Sequence, residues 1–167
     1  MGRVGPELLG QLFEKHASAL RLYARQWCGA PDDVVQEAFV NLARQRSVPE
    51  RVVPWLYRVV RNGALTALRQ DRRRARREAW VSGGDQAWFA SADDRIDARH
   101  AEALLAGLET DLRAAIVARI WGGLTFDEIA RVEGCSVSTA HRRYLAGLAQ
   151  LLERLDSHEY ARSSHGK

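Results

Sequence analysis

Cysteine is scarce in this 167-residue chain: Cys28 and Cys135 are the only two, far apart and outside any C-x-x-C pattern. No disulfide framework and no cysteine-based zinc site can be built from such a pair. Lysine is almost as rare, with Lys15 and Lys167 standing against 23 arginines. Long apolar runs are missing: no window approaches 18 uncharged apolar residues, so no bilayer-spanning helix is expected. Met1 to Gln11 interrupts short apolar pairs with Arg3, Pro6 and Glu7, and so lacks the apolar stretch of a secretory signal. Also missing are strand-like alternation, a glycine-rich phosphate loop, and paired carboxylates beside a histidine. Together these absences argue against an enzyme, a membrane insertion and a metal or cofactor site, and they suggest a cytoplasmic chain.

What the chain has instead is arginine. Its planar fork suits phosphates and base edges better than the point charge of lysine. The formal charge of +4 hides an uneven distribution. Residues 1–77 carry 15 basic and 7 acidic groups, whereas residues 78–167 carry 10 and 14. That split points to a polyanion-binding N-terminal half. At 46% hydrophobic and 28% charged the composition is that of a globular protein.

Apolar residues recur at helical spacing almost throughout. Leu9, Leu12, Phe13, Leu20, Tyr23 and Trp27 fall on one face of a helix expected from Glu7 to Cys28, with Gly29 ending it in a left-handed conformation. Pro31 opens a second helix with Asp32 and Asp33 in its first turn and Val35, Ala38, Phe39 and Leu42 as its buried stripe. After a proline-marked break at Ser47–Pro54, a third helix is expected from Pro54 or Trp55. Leu56, Val59, Val60, Gly63, Ala64 and Ala67 make its small-sided face, and the helix runs out into Arg72–Arg77. Periodicity lapses from Val81 to Asp94 and resumes near Ile96 with Ala101, Leu104, Leu105 and Leu108. It continues with Leu112, Ile116 and Ile120 before Gly122-Gly123. The pattern predicts an all-α chain of two small helical domains, 5–77 and 96–155. A linker over 78–95 joins them, and a short frayed tail follows at 156–167.

Leu124 to Arg143 is the most informative stretch. Thr125 and Glu128 have the spacing of a capping box; Ile129 and Ala130 supply the buried side of a short helix, and Gly134 ends it. Ser136 can cap a second helix with an inner stripe of Val137, Ala140, Tyr144, Leu148, Leu151 and Leu155. This order is that of a helix-turn-helix, whose second helix presents its leading residues to the major groove. Those residues are Ser138, Thr139, His141, Arg142 and Arg143, all able to bond phosphates or base edges. The plainer alternative is an αα-hairpin with a polar surface.

Between Arg58 and Arg77 lie eight arginines and one aspartate, a row that repels itself unless a polyanion neutralises it. Trp55 and Tyr57 precede it and could stack on unpaired bases, although Trp55 reads equally well as a core anchor beside the proline break. Asp33-Val-Val-Gln-Glu-Ala-Phe39, then Trp55-Leu-Tyr-Arg-Val-Val-Arg-Asn62 and the arginine-rich helix, resembles the second conserved region of sigma-70-type sigma factors of the extracytoplasmic-function group. Leu124 to Arg143 resembles the fourth region of the same family. The resemblance covers roughly Leu9–Arg77 and Ile96–Leu155.

The resemblance implies a non-catalytic factor that binds RNA polymerase core and directs it to promoters. Asp33, Gln36 and Glu37 match the surface that docks on the coiled coil of the largest polymerase subunit. Trp55, Arg58, Arg61, Asn62, Arg69, Arg72 and Arg73 lie in the part that reads and melts the −10 element, and the Ser47–Pro54 loop matches the place where a flipped base is captured. Thr139, His141, Arg142 and Arg143 fall where the family contacts the −35 element. An anti-sigma protein is a possible further partner. Two departures stand out: Thr66 occupies a position often acidic in the family, and Ala146-Gly147-Leu148 lacks a common basic residue. A stand-alone helix-turn-helix regulator is the alternative, but it leaves Asp33–Phe39 and the Trp55 stretch without a role.

Overall fold

The computed structural model describes residues 4–78 and 103–164, and among them every regular element is helical. The six long helices are α1 (Pro6–Ala24), α2 (Pro31–Ala43), α3 (Val52–Glu78), α4 (Thr110–Ile120), α5 (Phe126–Glu133) and α6 (Val137–Ser164). Residues 103–106 are helical as well. The expected linker over 78–95, with Trp88 and Phe89, lies outside the described residues apart from Glu78, as do Ile96 and Ala101.

Helices α1, α2 and α3 pack pairwise into one bundle, and α4, α5 and α6 into another. The stripe expected on α2 is buried in full: Val35, Ala38, Phe39 and Leu42 all face the core. On α3, Leu56, Val60 and Ala64 are fully buried. Gly63 lets α2 approach closely, since a Cβ there would sit 3.1 Å from Val34 Cγ1. Pro54 falls in the first turn of α3, where its missing N–H would have had no intrahelical partner, so the helix begins at Val52, before the proline.

The first helix is shorter than its apolar spacing predicts. It ends at Ala24 with Arg25 in a right-handed conformation, so Gly29 is not its cap. The chain tightens instead through i→i+3 bonds from Gln26 N–H to Tyr23 O and from Trp27 N–H to Ala24 O. The Gln26 amide also turns back to donate to Leu22 O at 3.0 Å. At the other end of the chain, α6 runs on to Ser164 rather than fraying at Asp156. No glycine or proline interrupts it after Gly147.

The helix-turn-helix forms as its spacing predicts. Thr125 Oγ1 accepts from the Glu128 N–H at 3.3 Å while the Glu128 carboxylate accepts from the Thr125 N–H at 2.8 Å. Gly134 closes α5 at φ 68°, a conformation that costs glycine nothing. Ser136 Oγ then accepts from the Thr139 N–H at 3.1 Å and starts α6. Thr125→Ala is expected to cost about 0.5–2 kcal/mol, read as a lowered thermal midpoint of the full chain.

Helix α4 departs from the expected single stripe. Arg113 to Ala118 are buried all round, while Ile120 is exposed. The cause is tertiary: α4 lies between α5 and α6 on one side and α1 on the other, because the two bundles pack together through α1·α4 and α3·α5. Val137 and Leu155, assigned to the inner stripe of α6, are likewise exposed. No helix among the described residues is long and apolar enough to cross a membrane.

Candidate nucleic-acid interface

The basic face is built on α3. Arg58, Asn62, Arg69, Arg72 and Arg73 are exposed along it, as are Arg74, Arg76 and Arg77. Seven arginine side chains thus lie free of core packing on one long helix, a strip suited to a phosphate backbone. Thr66 lies on this surface and donates its hydroxyl to Asn62 O at 2.9 Å, so its polar group is satisfied within its own helix.

Three of the candidate residues sit differently. Tyr57 is fully buried, its ring 4.8 Å from Tyr23, so it cannot stack on a base in this arrangement; tight packing against Tyr23 and Gly122 encloses it. Burial pushes its phenol well above the usual range. Trp55 is half-buried against the core and also edges a cleft of about 260 Å³, lined further by Pro49, Arg51, Arg58, Glu128 and Arg131. Arg61 faces inward: its guanidinium lies 5.6 Å over the Trp27 ring, and its Nε is 4.0 Å from the Glu133 carboxylate of α5.

Asp33, Gln36 and Glu37 are exposed together on α2, one helical turn apart. Asp33 and Glu37 line a groove of about 470 Å³ between α2 and α3, opposite Asn62, Thr66 and Gln70 and above an apolar floor that includes Val34, Ala38 and Val59. The proposed polymerase contacts and one −10 candidate, Asn62, therefore share a groove.

At the start of α6, Ser138, His141 and Arg142 are exposed, and Thr139 is half-buried because its N–H and hydroxyl both engage Ser136. Phe126 organises this edge, meeting His141 edge-on at 4.9 Å and Tyr144 at 5.5 Å, with the Arg119 guanidinium 4.9 Å over its face. The two arginines are not equivalent. Arg142 makes only a 3.5 Å contact to Thr139 Oγ1, whereas Arg143 is ion-paired to Asp111 at 2.5 Å.

The residues that spacing did not single out lie where the bundles meet. Glu133 accepts a hydrogen bond from the buried Tyr23 hydroxyl, Arg51 pairs with Glu128 at 2.6 Å, and Arg113 donates to Gln26. Burial raises the Glu133 carboxyl above its ordinary value, against the opposing pull of the Tyr23 bond and Arg61. One local signal was available: Glu133 falls four residues after Ile129, on the apolar face of an amphipathic helix, where a carboxylate needs a buried partner.

Comparison with known proteins finds a family match for each half of the chain. The model of Sigma-70 region 2 matches residues 12–74, and that of Sigma-70, region 4 matches residues 100–151. The chain is 33% identical to the RNA polymerase sigma factor CarQ of Myxococcus xanthus, over 86% of this chain and 87% of that one. It is 29% identical to the ECF RNA polymerase sigma factor SigE of Mycolicibacterium smegmatis, covering 89% of this chain and 62% of SigE. Among solved structures, the sigma factor RpoE of Bartonella quintana, in complex with the anti-sigma factor NepR, shares the fold. Its TM-score is 0.69 at 23% identity, over 88% of this chain and 96% of that one. CnrH, solved in complex with the cytosolic domain of CnrY, aligns with a TM-score of 0.58 at 28% identity, over 92% and 90% of the two chains.

Proposed function

The chain belongs to the sigma-70 family of RNA polymerase sigma factors, in its extracytoplasmic-function group, and on that premise we propose how its surfaces divide the work of promoter recognition. Residues 5–77 form the unit that meets core polymerase and the −10 element, and residues 96–155 the unit that meets the −35 element. Residues 78–95 link the two units, and 156–167 follow as a tail whose first part continues α6 to Ser164. Asp33, Gln36 and Glu37 dock on the coiled coil of the largest polymerase subunit. Arg58, Arg61, Asn62, Arg69, Arg72 and Arg73 contact the −10 strands, with Trp55 at the edge of the Ser47–Pro54 loop where an unstacked base is held. Ser138, Thr139, His141, Arg142 and Arg143 face the −35 element. The protein acts in the cytoplasm as a non-catalytic regulator, and an anti-sigma protein of the kind bound by the related RpoE is a further partner.

The observation that carries this reading is the co-occurrence, on one chain, of an exposed arginine strip on α3, a carboxylate-amide cluster on α2 and a capped helix-turn-helix. The match to region 2 gives the N-terminal half a role that a stand-alone regulator would leave empty. Run-off transcription with bacterial core polymerase on genomic promoter fragments tests it; failure both to bind core and to initiate on any fragment overturns it. In the same assay, joint replacement of Asp33 and Glu37 by alanine should weaken core binding by about 5- to 30-fold, the scale of removing real interface contacts. Binding of the −35 element by the isolated holoenzyme, once formed at high concentration, should be spared.

A further inference from the structure

A single ring on α5 links the backbone of the turn before it to the leading edge of α6. Thr125 caps α5, and its capping box with Glu128 fixes the first turn, so Phe126 starts the helix at a set position. The Phe126 ring is half-buried and held on several sides. The Arg119 guanidinium lies 4.9 Å over its face and is itself anchored by donating to Leu124 O at 2.8 Å. Tyr144, from the inner side of α6, closes on it at 5.5 Å. The ring so held meets His141 at 4.9 Å with the two planes 82° apart, the favourable edge-on arrangement of an aromatic pair.

His141 is otherwise exposed, and among the described residues it has no hydrogen bond or ion pair. Its second side-chain torsion joins a tetrahedral to a planar carbon, a bond with broad minima, so an imidazole with nothing beside it swings. A swinging ring carries its N–H past phosphate oxygens and base edges alike. Discrimination needs the opposite, because a hydrogen bond weakens steeply once its angle falls below about 120°. A ring already fixed also loses less freedom when DNA binds. The neighbouring Arg142 has no such backing beyond a 3.5 Å contact to Thr139. On this edge the ring contact therefore singles out His141 as the side chain with a prepared orientation.

We infer that Phe126 is a positioning residue: it holds the His141 imidazole in one orientation on the leading edge of α6 and thereby sets the selectivity of this chain at one base pair of the −35 element. Phe126 need not touch DNA to do so. The inference rests on the assignment of His141 to the −35 surface.

The test uses holoenzyme assembled from the full chain and bacterial core polymerase, on a promoter whose −35 base pairs are changed one at a time. Run-off product ranks the promoters. His141→Ala should reduce discrimination at one base pair by at least about fivefold, the low end for a well-made base contact. Phe126→Leu should reduce it at that same base pair. The double variant should discriminate no less than His141→Ala alone, since such non-additivity marks two residues acting as a unit. Phe126→Tyr restores a ring and should restore the wild-type ranking. A role in packing alone would lower product evenly on every promoter and leave the ranking intact. Should Phe126→Leu lose helix by circular dichroism, NMR of the wild-type chain decides instead: one fixed His141 rotamer with a Phe126–His141 ring contact is expected, and rotamer averaging overturns the inference. Discrimination kept in Phe126→Leu but lost in His141→Ala overturns the positioning role alone. Discrimination kept at every base pair in His141→Ala overturns the −35 assignment of His141, and the inference with it.

Discussion

Arg142→Ala should lower −35-dependent initiation by roughly 5- to 150-fold and leave core binding unchanged, because one good base contact is worth about 1–3 kcal/mol. Arg143→Ala should cost less. The difference comes from what each side chain is doing before DNA arrives. Arg142 is exposed at the leading edge of α6 and holds only a long contact to Thr139. Arg143 is half-buried and already spends its guanidinium on Asp111 at 2.5 Å, so using it on DNA first requires breaking that pair. An exposed pair is worth at most about 1 kcal/mol, which sets the scale of the handicap. Footprinting of the holoenzyme on a promoter with and without its −35 element, for both variants, gives the ratio directly. Equal losses in the two would show that the Asp111 pair opens on DNA and that both arginines read the groove.

The sequence made local features legible and left the long-range ones hidden, for a physical reason. A capping box, a glycine in a left-handed turn and an apolar stripe are written within a few residues of each other. Thr125, Glu128, Gly134 and the α2 stripe accordingly appear in the structure as their spacing predicts. The contact of Tyr23 with Glu133 joins residues 110 positions apart, and Arg113 with Gln26 joins residues 87 apart. No periodicity records such pairs. The same packing accounts for α4, whose burial on every side erases the one-faced pattern that Leu112, Ile116 and Ile120 suggest. It also accounts for Tyr57 and Arg61, which composition placed on the nucleic-acid surface and which the second bundle covers. The candidate site was therefore readable as a set of residue types on α2, α3 and α6, but not as an arrangement, since which arginines stand free depends on where α5 lies.

Gly147→Val should destabilise the chain by about 1–3 kcal/mol, the usual cost of forcing extra volume into a packed contact, and loosen the helix-turn-helix in particular. Gly147 sits in the interior of α6, where glycine itself costs about 1 kcal/mol against alanine, so something must require it. The requirement is the approach of α6 to α4. A Cβ at this position would stand 2.5 Å from Ile116 Cδ1, 3.2 Å from Ile116 Cγ1 and 3.3 Å from the Leu112 carbonyl oxygen. Ile116 is fully buried and the carbonyl is helical backbone, so neither can yield cheaply. A β-branched side chain adds two more carbons to the same space, and α6 must tilt away from α4. The cost should appear as a lowered thermal midpoint, and as weaker −35 binding than core binding, because the tilt moves Arg142 while leaving Asp33 and Glu37 in place. The neighbouring residue, Ala146, is exposed. Ala146→Arg should therefore be tolerated and add a phosphate contact, steepening the salt dependence of DNA binding by about one counterion. Gly147 tolerates no such addition, and the contrast between neighbouring positions separates a packing constraint from a missing DNA contact.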